Sequence, residues 1–130
     1  MRQQVIDKLK GLALTSYSVT EELPFDESDN PLYIKNPKRI YIDNTQTAQE
    51  PLIVALDGLN IETTTESVTV YFTVDAKNVP ANYETAISSM KGIKDTVTSN
   101  GATQRTVAVS TSYTNDLLIN ELEYTFTRIT

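Results

Sequence analysis

The sequence predicts an α+β fold, an antiparallel β-sheet with two α-helices packed on one face, plus a protruding β-hairpin. Three observations lead to this prediction. Apolar and polar residues alternate through 117–129, as in a half-buried strand. The same alternation runs through 67–75. Two other segments, 3–14 and 83–99, repeat their apolar residues at helical spacing. A chain of 130 residues is expected to form a single domain, 1–130.

The first predicted element is a helix over 3–14. One apolar stripe follows helical spacing in this segment: Val5, Ile6, Leu9, Leu12 and Ala13. Gly11 weakens the helix near its end. A short strand is expected over 17–21, followed by a polar, acidic loop over 22–31 that contains two prolines. The acidic residues of this loop do not follow the spacing of an EF-hand calcium loop, so we interpret it as a surface loop.

A short hairpin is predicted next, and it carries the one basic cluster of the chain. The strand-like triplets 32–34 and 40–42 flank the turn-type sequence 35–39. Such a hairpin tip is either solvated or forms a small contact for an acidic partner surface. The hairpin is partly apolar on both faces, so its outer side is covered either by a loop of the same chain or by a neighbouring subunit, since exposed aromatic and aliphatic patches mark interfaces. Our interface candidates are therefore Tyr33, Lys35, Lys38, Arg39 and Tyr41.

The middle of the chain predicts a polar linker and two strands. Residues 43–51 have loop composition. The run 52–56 is almost continuously apolar, which is typical of a central strand. The strand over 67–75 is expected to point alternate residues into the core: Val68, Val70, Phe72 and Val74.

The second helix is predicted over 83–99. Pro80 and Asn82 suit a helix entry, and Asn100-Gly101 is a typical C-terminal stop. The expected core stripe contains Ala86, Ile87, Met90, Ile93 and Val97.

The chain then closes on a hairpin of two long strands, 105–113 and 117–129, joined at Thr114-Asn115-Asp116. The inward residues of the last strand are expected to be Leu118, Leu122, Tyr124 and Phe126. The outward residues are expected to be Glu121, Glu123, Thr125 and Thr127.

Composition argues against most enzyme classes. The chain contains no cysteine and no histidine, which removes disulfides, thiolate metal sites and the commonest general base. We therefore expect no enzyme, no metal and no cofactor. A carboxylate-based hydrolase built on Glu121 and Glu123 is an alternative, but same-face glutamates on an alternating strand are usually solvated. A small-ligand-binding domain that uses the seven tyrosines is another, although there is no tryptophan.

The order of elements resembles the tail-terminator, or tail-completion, proteins of long-tailed bacteriophages. The resemblance spans nearly the whole chain as an arrangement: an N-terminal helix, a central strand pair, a single helix and a final hairpin. The hairpin ends with Leu122-Glu-Tyr-Thr-Phe-Thr-Arg-Ile129, an aromatic-alternating strand close to the C-terminus. No short motif carries the resemblance, and it implies no catalytic residue.

The resemblance implies a structural virion protein. It predicts a ring, usually a hexamer, that caps the tail tube, stops its polymerisation and joins the tail to head-completion or stopper proteins. The partners are thus further copies of the chain, the tail-tube protein and a head-completion protein, and assembly takes place in the host cytoplasm. A net charge of −6 suits a lumen through which DNA slides without specific binding, and no membrane partner is expected. Another head–tail connector, a stopper or a tail-tube subunit is the alternative.

Overall fold

The computed structural model describes residues 1–54, 60–98 and 101–129. In these ranges it has three α-helices and six strands, which confirms the α+β prediction. The elements in chain order are α1 (Arg2–Gly11), β1 (Ser18–Val19), α2 (Leu32–Lys35), β2 (Arg39–Ile42), β3 (Gln46–Val54), β4 (Asn60–Asp75), α3 (Tyr83–Gly92), a 3₁₀ turn (Ile93–Asp95), β5 (Ala102–Thr114) and β6 (Leu117–Ile129).

The six strands form one sheet with the order β1-β2-β4-β6-β5. The β1–β2 pair is parallel and every other pair is antiparallel. β3 lies off this path and pairs with the first half of β4, whereas β2 pairs with β4 at Tyr41 and Tyr71. β4 and β6 are in register from Thr63–Ile129 to Asp75–Leu117 and form the centre of the sheet. The two ends of the sheet path are therefore unlike strands, β1 and β5.

The core lies between the sheet and the two long helices. α1 contributes Val5, Ile6 and Leu9, and α3 contributes Ala86 and Met90. The predicted inward residues of β4 and β6 meet them, and all but Leu118, which is half-buried, are fully buried or nearly so: Val68, Val70, Phe72, Val74, Leu122, Tyr124 and Phe126. The alternation in the sequence thus identified the correct face of both central strands, since successive strand residues point to opposite faces.

The predicted hairpin over 32–42 has a different structure. Its first arm is the short helix α2, closed by a hydrogen bond from the Asn36 backbone N–H to the Leu32 carbonyl. Its second arm, β2, takes its hydrogen bonds from β1 and β4 instead. Packing explains the difference, because a helical turn lets Tyr33 fold onto the sheet. The segment therefore does not protrude as a hairpin, and it covers the sheet face opposite α1 and α3.

Two further boundaries differ from the prediction. The expected linker 43–51 is strand from Gln46 onward, and β3 lies at a sheet margin with β4 as its neighbour, not at the centre. Residues 55 and 56 of the predicted strand lie outside the described residues. β3 is polar over 46–50, where every side chain is exposed. Backbone pairing with β4, not burial, therefore forms this strand, and apolar periodicity cannot detect it.

The turns follow local sequence closely. α1 ends at Gly11 and α3 at Gly92, earlier than predicted, and the 3₁₀ turn continues the second helix. Leu12 and Ala13 of the predicted stripe therefore lie beyond α1, and Ala13 is exposed with φ 49°, so it is not part of the core face. Asn115 and Asp116 both have positive φ, 50° and 63°, as a two-residue hairpin turn of type I′ requires. Gly101 has a positive φ of 68°, but it directly precedes β5, and the helical segment already ends at Asp95, so the predicted helix stop at Asn100-Gly101 is wrong.

Candidate interaction site

The two tyrosines among the interface candidates are buried. Tyr33 is 8% exposed and stacks on Tyr71, with ring centroids 4.9 Å apart and planes at 13°. Phe25 meets both rings edge-on, at 5.8 Å and 5.6 Å. Tyr41 is fully buried, and its hydroxyl accepts a hydrogen bond of 2.8 Å from Asn36 Nδ2. These aromatic residues hold α2 and its flanking loop on the sheet, so they offer no contact surface in this conformation.

The three cations among the candidates do lie together at the surface. Lys35, Lys38 and Arg39 line an open groove of about 560 Å³ at the β1 end of the sheet. The other wall of the groove is formed by Ser16, Tyr17 and Ser18, where a turn leads into β1. The buried aromatic layer fixes this arrangement, because Lys35 ends α2 and Arg39 begins β2. The groove concentrates positive charge on a chain whose net charge is −6.

Two of these cations have partners within the chain. Lys35 Nζ lies 4.0 Å from Asp26 Oδ2, and Arg39 Nη1 lies 3.9 Å from Glu22 Oε2. Both distances are long for ion pairs between largely exposed groups, so each contributes little to stability. Lys38 has no carboxylate within 4.0 Å in the part of the chain that the structure describes. Its φ of 69° turns the backbone sharply just before β2.

The acidic loop next to the groove is stabilised by its own turn. The Asp26 carboxylate accepts hydrogen bonds from the backbone N–H groups of Asn30, at 2.8 Å, and Ser28, at 2.9 Å. These bonds, that of Asn30 first, lower the pKa of the Asp26 carboxyl. Both carboxylate oxygens therefore serve the loop conformation, since Asn30 Nδ2 donates to the second one. This is the behaviour of an Asx turn.

A second groove lies at the opposite end of the sheet, and sequence reasoning missed it. It runs between α3 and the free side of β5, has a volume of about 350 Å³, and is lined by Tyr83, Glu84, Ile87, Ser88, Val109 and Thr111. Glu84 is exposed and has no cation within 4.0 Å in the described ranges. The sequence offers only a weak signal of this groove, the valines at positions 107 and 109 of a predicted strand. The structure shows that both Val107 and Val109 are half-buried at the margin of the sheet.

Behind Tyr83, a polar network centred on the buried Asn120 lies at the floor of this second groove. Asn120 is fully buried, and its Oδ1 accepts hydrogen bonds from the hydroxyls of Tyr83 and Thr111. The network joins α3, β5 and β6 at one point. Buried polar groups that are satisfied in this way hold neighbouring elements in one arrangement.

The glutamates of β6 lie on the sheet face opposite α1 and α3. Glu121 pairs in register with Tyr71, and Glu123 pairs with Thr69. Burial raises the pKa of Tyr71 to about 12, and the negative charges of Glu121 and Asp43 add to the rise. Both glutamates are exposed, as a solvated strand face requires. Their surroundings thus give the hydrolase alternative no support from geometry.

In 1–54, 60–98 and 101–129, no group of three or more Asp, Glu, His or Cys residues is placed to hold a metal ion. None of the helices in these ranges is both long and apolar enough to span a membrane.

No protein-family model matches the chain, and no curated protein sequence matches it.

Proposed function

We propose that the chain is a structural virion protein, a tail terminator whose copies form a ring that caps the tail tube and joins it to head-completion proteins. One observation carries the proposal. The sheet ends in two unlike strands, β1 and β5, and each lies beside an open groove. A subunit with two different ends is suited to head-to-tail contacts, which give a closed ring when the rotation between subunits closes.

Two features support a building block over a ligand-binding domain. The tyrosines that a ligand platform would need are engaged in packing, and among those described only Tyr113 is largely exposed, at 63%. The chain also has an excess of negative charge, which suits a ring around DNA that must pass without binding. The hexameric copy number, the location at the head–tail junction and the named partners belong to the same proposal.

The test has two stages. Light scattering and negative-stain imaging of the purified chain are expected to show closed rings of one size. The rings are then added to growing tail tubes, and elongation is expected to stop. Open-ended tubes of the chain itself would instead identify a tail-tube subunit. A monomer that leaves tube growth and tube ends unchanged would refute the proposal.

A further inference from the structure

We propose that β5 of one copy pairs with the β1 edge of the next copy. This inference rests on the proposed ring and specifies the contact between its subunits. Strand direction, height along the sheet and edge chemistry each support it.

Strand direction allows the sheet to continue from copy to copy. β2 is antiparallel to β4, and β1 is parallel to β2, so β1 runs against β4. β6 also runs against β4, and β5 runs with it. In a continued sheet, β5 therefore meets the neighbour's β1 as an antiparallel pair, the commoner and slightly more stable kind of pairing.

The two edges also lie at the same height along the sheet. Ser112 pairs with Ile119, which pairs with Thr73 of β4. On the other side Ser18 pairs with Arg39. Because Tyr41 pairs with Tyr71, the antiparallel register places Arg39 level with Thr73 too. β1 is the outermost strand of its end, so a second copy can approach it without displacing any other described strand.

The β5 edge has few of the features that usually block pairing. It is 13 residues long and contains no proline, lysine or carboxylate. Its one charged residue, Arg105, is half-buried and donates to the carbonyls of Lys94 and Val97. Natural proteins generally protect free edges with charge, proline or a bulge. The one irregularity in its register lies near its start, between Ala102 and Gln104, and leaves the half that faces the groove regular.

A long and weakly protected edge beside an open groove is typical of strand addition. In that mode, backbone hydrogen bonds extend the sheet, and alternate side chains enter the groove. The β5 groove is open along Val109 and Thr111, two residues apart on one strand face. A strand added to β5 would therefore cover the groove as well as the edge.

The β1 edge offers free backbone groups beside the basic groove. The N–H groups of Ser18 and Thr20 bond to the carbonyls of Lys38 and Ile40, at 3.1 Å and 3.0 Å. Backbone groups alternate along a strand, so those of Val19 point away from β2 and are placed to receive a neighbour.

The proposed ring selects this occupant over a two-fold pair of β5 strands. Pairing of β5 with the neighbour's β1 is a head-to-tail contact, which can close into a ring, whereas a β5–β5 pair would be two-fold and would end at a dimer.

Disulfide trapping tests the contact directly, because the natural chain has no cysteine. Ser18→Cys and Ser112→Cys are made separately, at two exposed positions. Mixing the two variants under mild oxidation is expected to give a cross-linked pair, several-fold more than either variant alone. Absence of the cross-link in the mixture would overturn the contact. Equal cross-linking of Ser112→Cys with itself would overturn it as well, in favour of β5–β5 pairing.

The outcomes separate this contact from the function. Rings that cap tubes, with no cross-link in the mixture of Ser18→Cys and Ser112→Cys, would leave the proposed function standing and refute the β1–β5 contact. Formation of the cross-link in a sample that neither forms rings nor affects tubes would support the β1–β5 contact and refute the proposed function.

Discussion

The ring of Tyr33 lies flat on the ring of Tyr71, with their centroids 4.9 Å apart. This stack joins α2 to the centre of the sheet, on the face opposite the two long helices. Lys35 and Arg39 lie on either side of the turn that follows α2, and the Tyr33–Tyr71 stack holds α2 in place. The position of these cations in the basic groove therefore depends on this stack. Stability of the aromatic layer and shape of the groove are thus linked.

Truncation of the stack is expected to destabilise the protein. Tyr33→Ala removes a side chain that is 8% exposed, and the free energy of unfolding should fall by about 3 kcal/mol. Chemical denaturation monitored by circular dichroism measures the change. Tyr113→Ala is the control, since Tyr113 is 63% exposed and its hydroxyl bonds to Asp116 at the hairpin tip; its loss should be far smaller. Equal losses for the two variants would contradict the role given to the stack.

Alkaline pH is expected to destabilise the fold through the same layer. The pKa of Tyr71 is about 12 in the folded protein, against an ordinary value of 10.0 in an unfolded chain. The folded pKa is the higher one, so the stabilisation is fully present below pH 10.0 and is lost as the pH rises towards 12. Absorbance titration of tyrosinate and denaturation curves across this window measure both effects.

Tyr71→Phe supplies the control for the alkaline titration. It should remove one of the late-ionising steps from the absorbance curve and make the decline of stability with pH shallower. Burial also raises the pKa values of Tyr17, Tyr33 and Tyr124, so part of the decline will remain. An unchanged pH profile in Tyr71→Phe would show that this hydroxyl does not titrate as its surroundings indicate.

Arg105 is expected to stabilise the junction between the 3₁₀ turn and β5. Its guanidinium donates to the carbonyls of Lys94 and Val97 and lies 5.7 Å from the centroid of Phe126. Arg105→Ala should lower the free energy of unfolding by about 2 kcal/mol, since two carbonyls lose a charged donor and the ring loses its cation. Thermal and denaturant unfolding measure the loss.

A lysine at position 105 distinguishes shape from charge. Arg105→Lys keeps the positive charge but cannot bridge two carbonyls with one planar group, so it should recover less than half of the loss. Full recovery would mean that charge alone stabilises this junction.

The buried network at Asn120 should be sensitive to removal of its acceptor. Asn120→Ala removes a fully buried side chain and the acceptor of the half-buried Tyr83 hydroxyl, whereas the exposed Thr111 hydroxyl can bond to water; the change should cost about 2 kcal/mol. Tyr83→Phe removes only one donor and should cost about 1 kcal/mol. Both values come from equilibrium denaturation. A larger cost for Tyr83→Phe than for Asn120→Ala would place the energy in another contact of Tyr83.

Sequence reasoning identified the elements in which buried residues recur at a short, regular spacing along the chain. The stripe of α1, the inward faces of β4 and β6, and the tight turn at Asn115 and Asp116 all follow local rules. Apolar residues recur at the helical or strand period, and the turn has residue types that tolerate positive φ. The positions of the interface candidates could be predicted only in part. The sequence shows that Lys35, Lys38 and Arg39 form a basic cluster, but it does not show that Tyr33 and Tyr41 are buried.

The remaining features depend on contacts between residues far apart in the chain. Leu32-Tyr33-Ile34 is too short to distinguish a helical from a strand period, and the stack of Tyr33 on Tyr71, in β4, decides for a helix. The polar strand β3 exists because β4 supplies its hydrogen bonds. Likewise, only the sheet order places the basic groove at one end and Glu84 at the other. The sequence alone determined which residues are apolar and at what spacing, whereas tertiary packing decided which surfaces remain open, because pairing and burial are non-local.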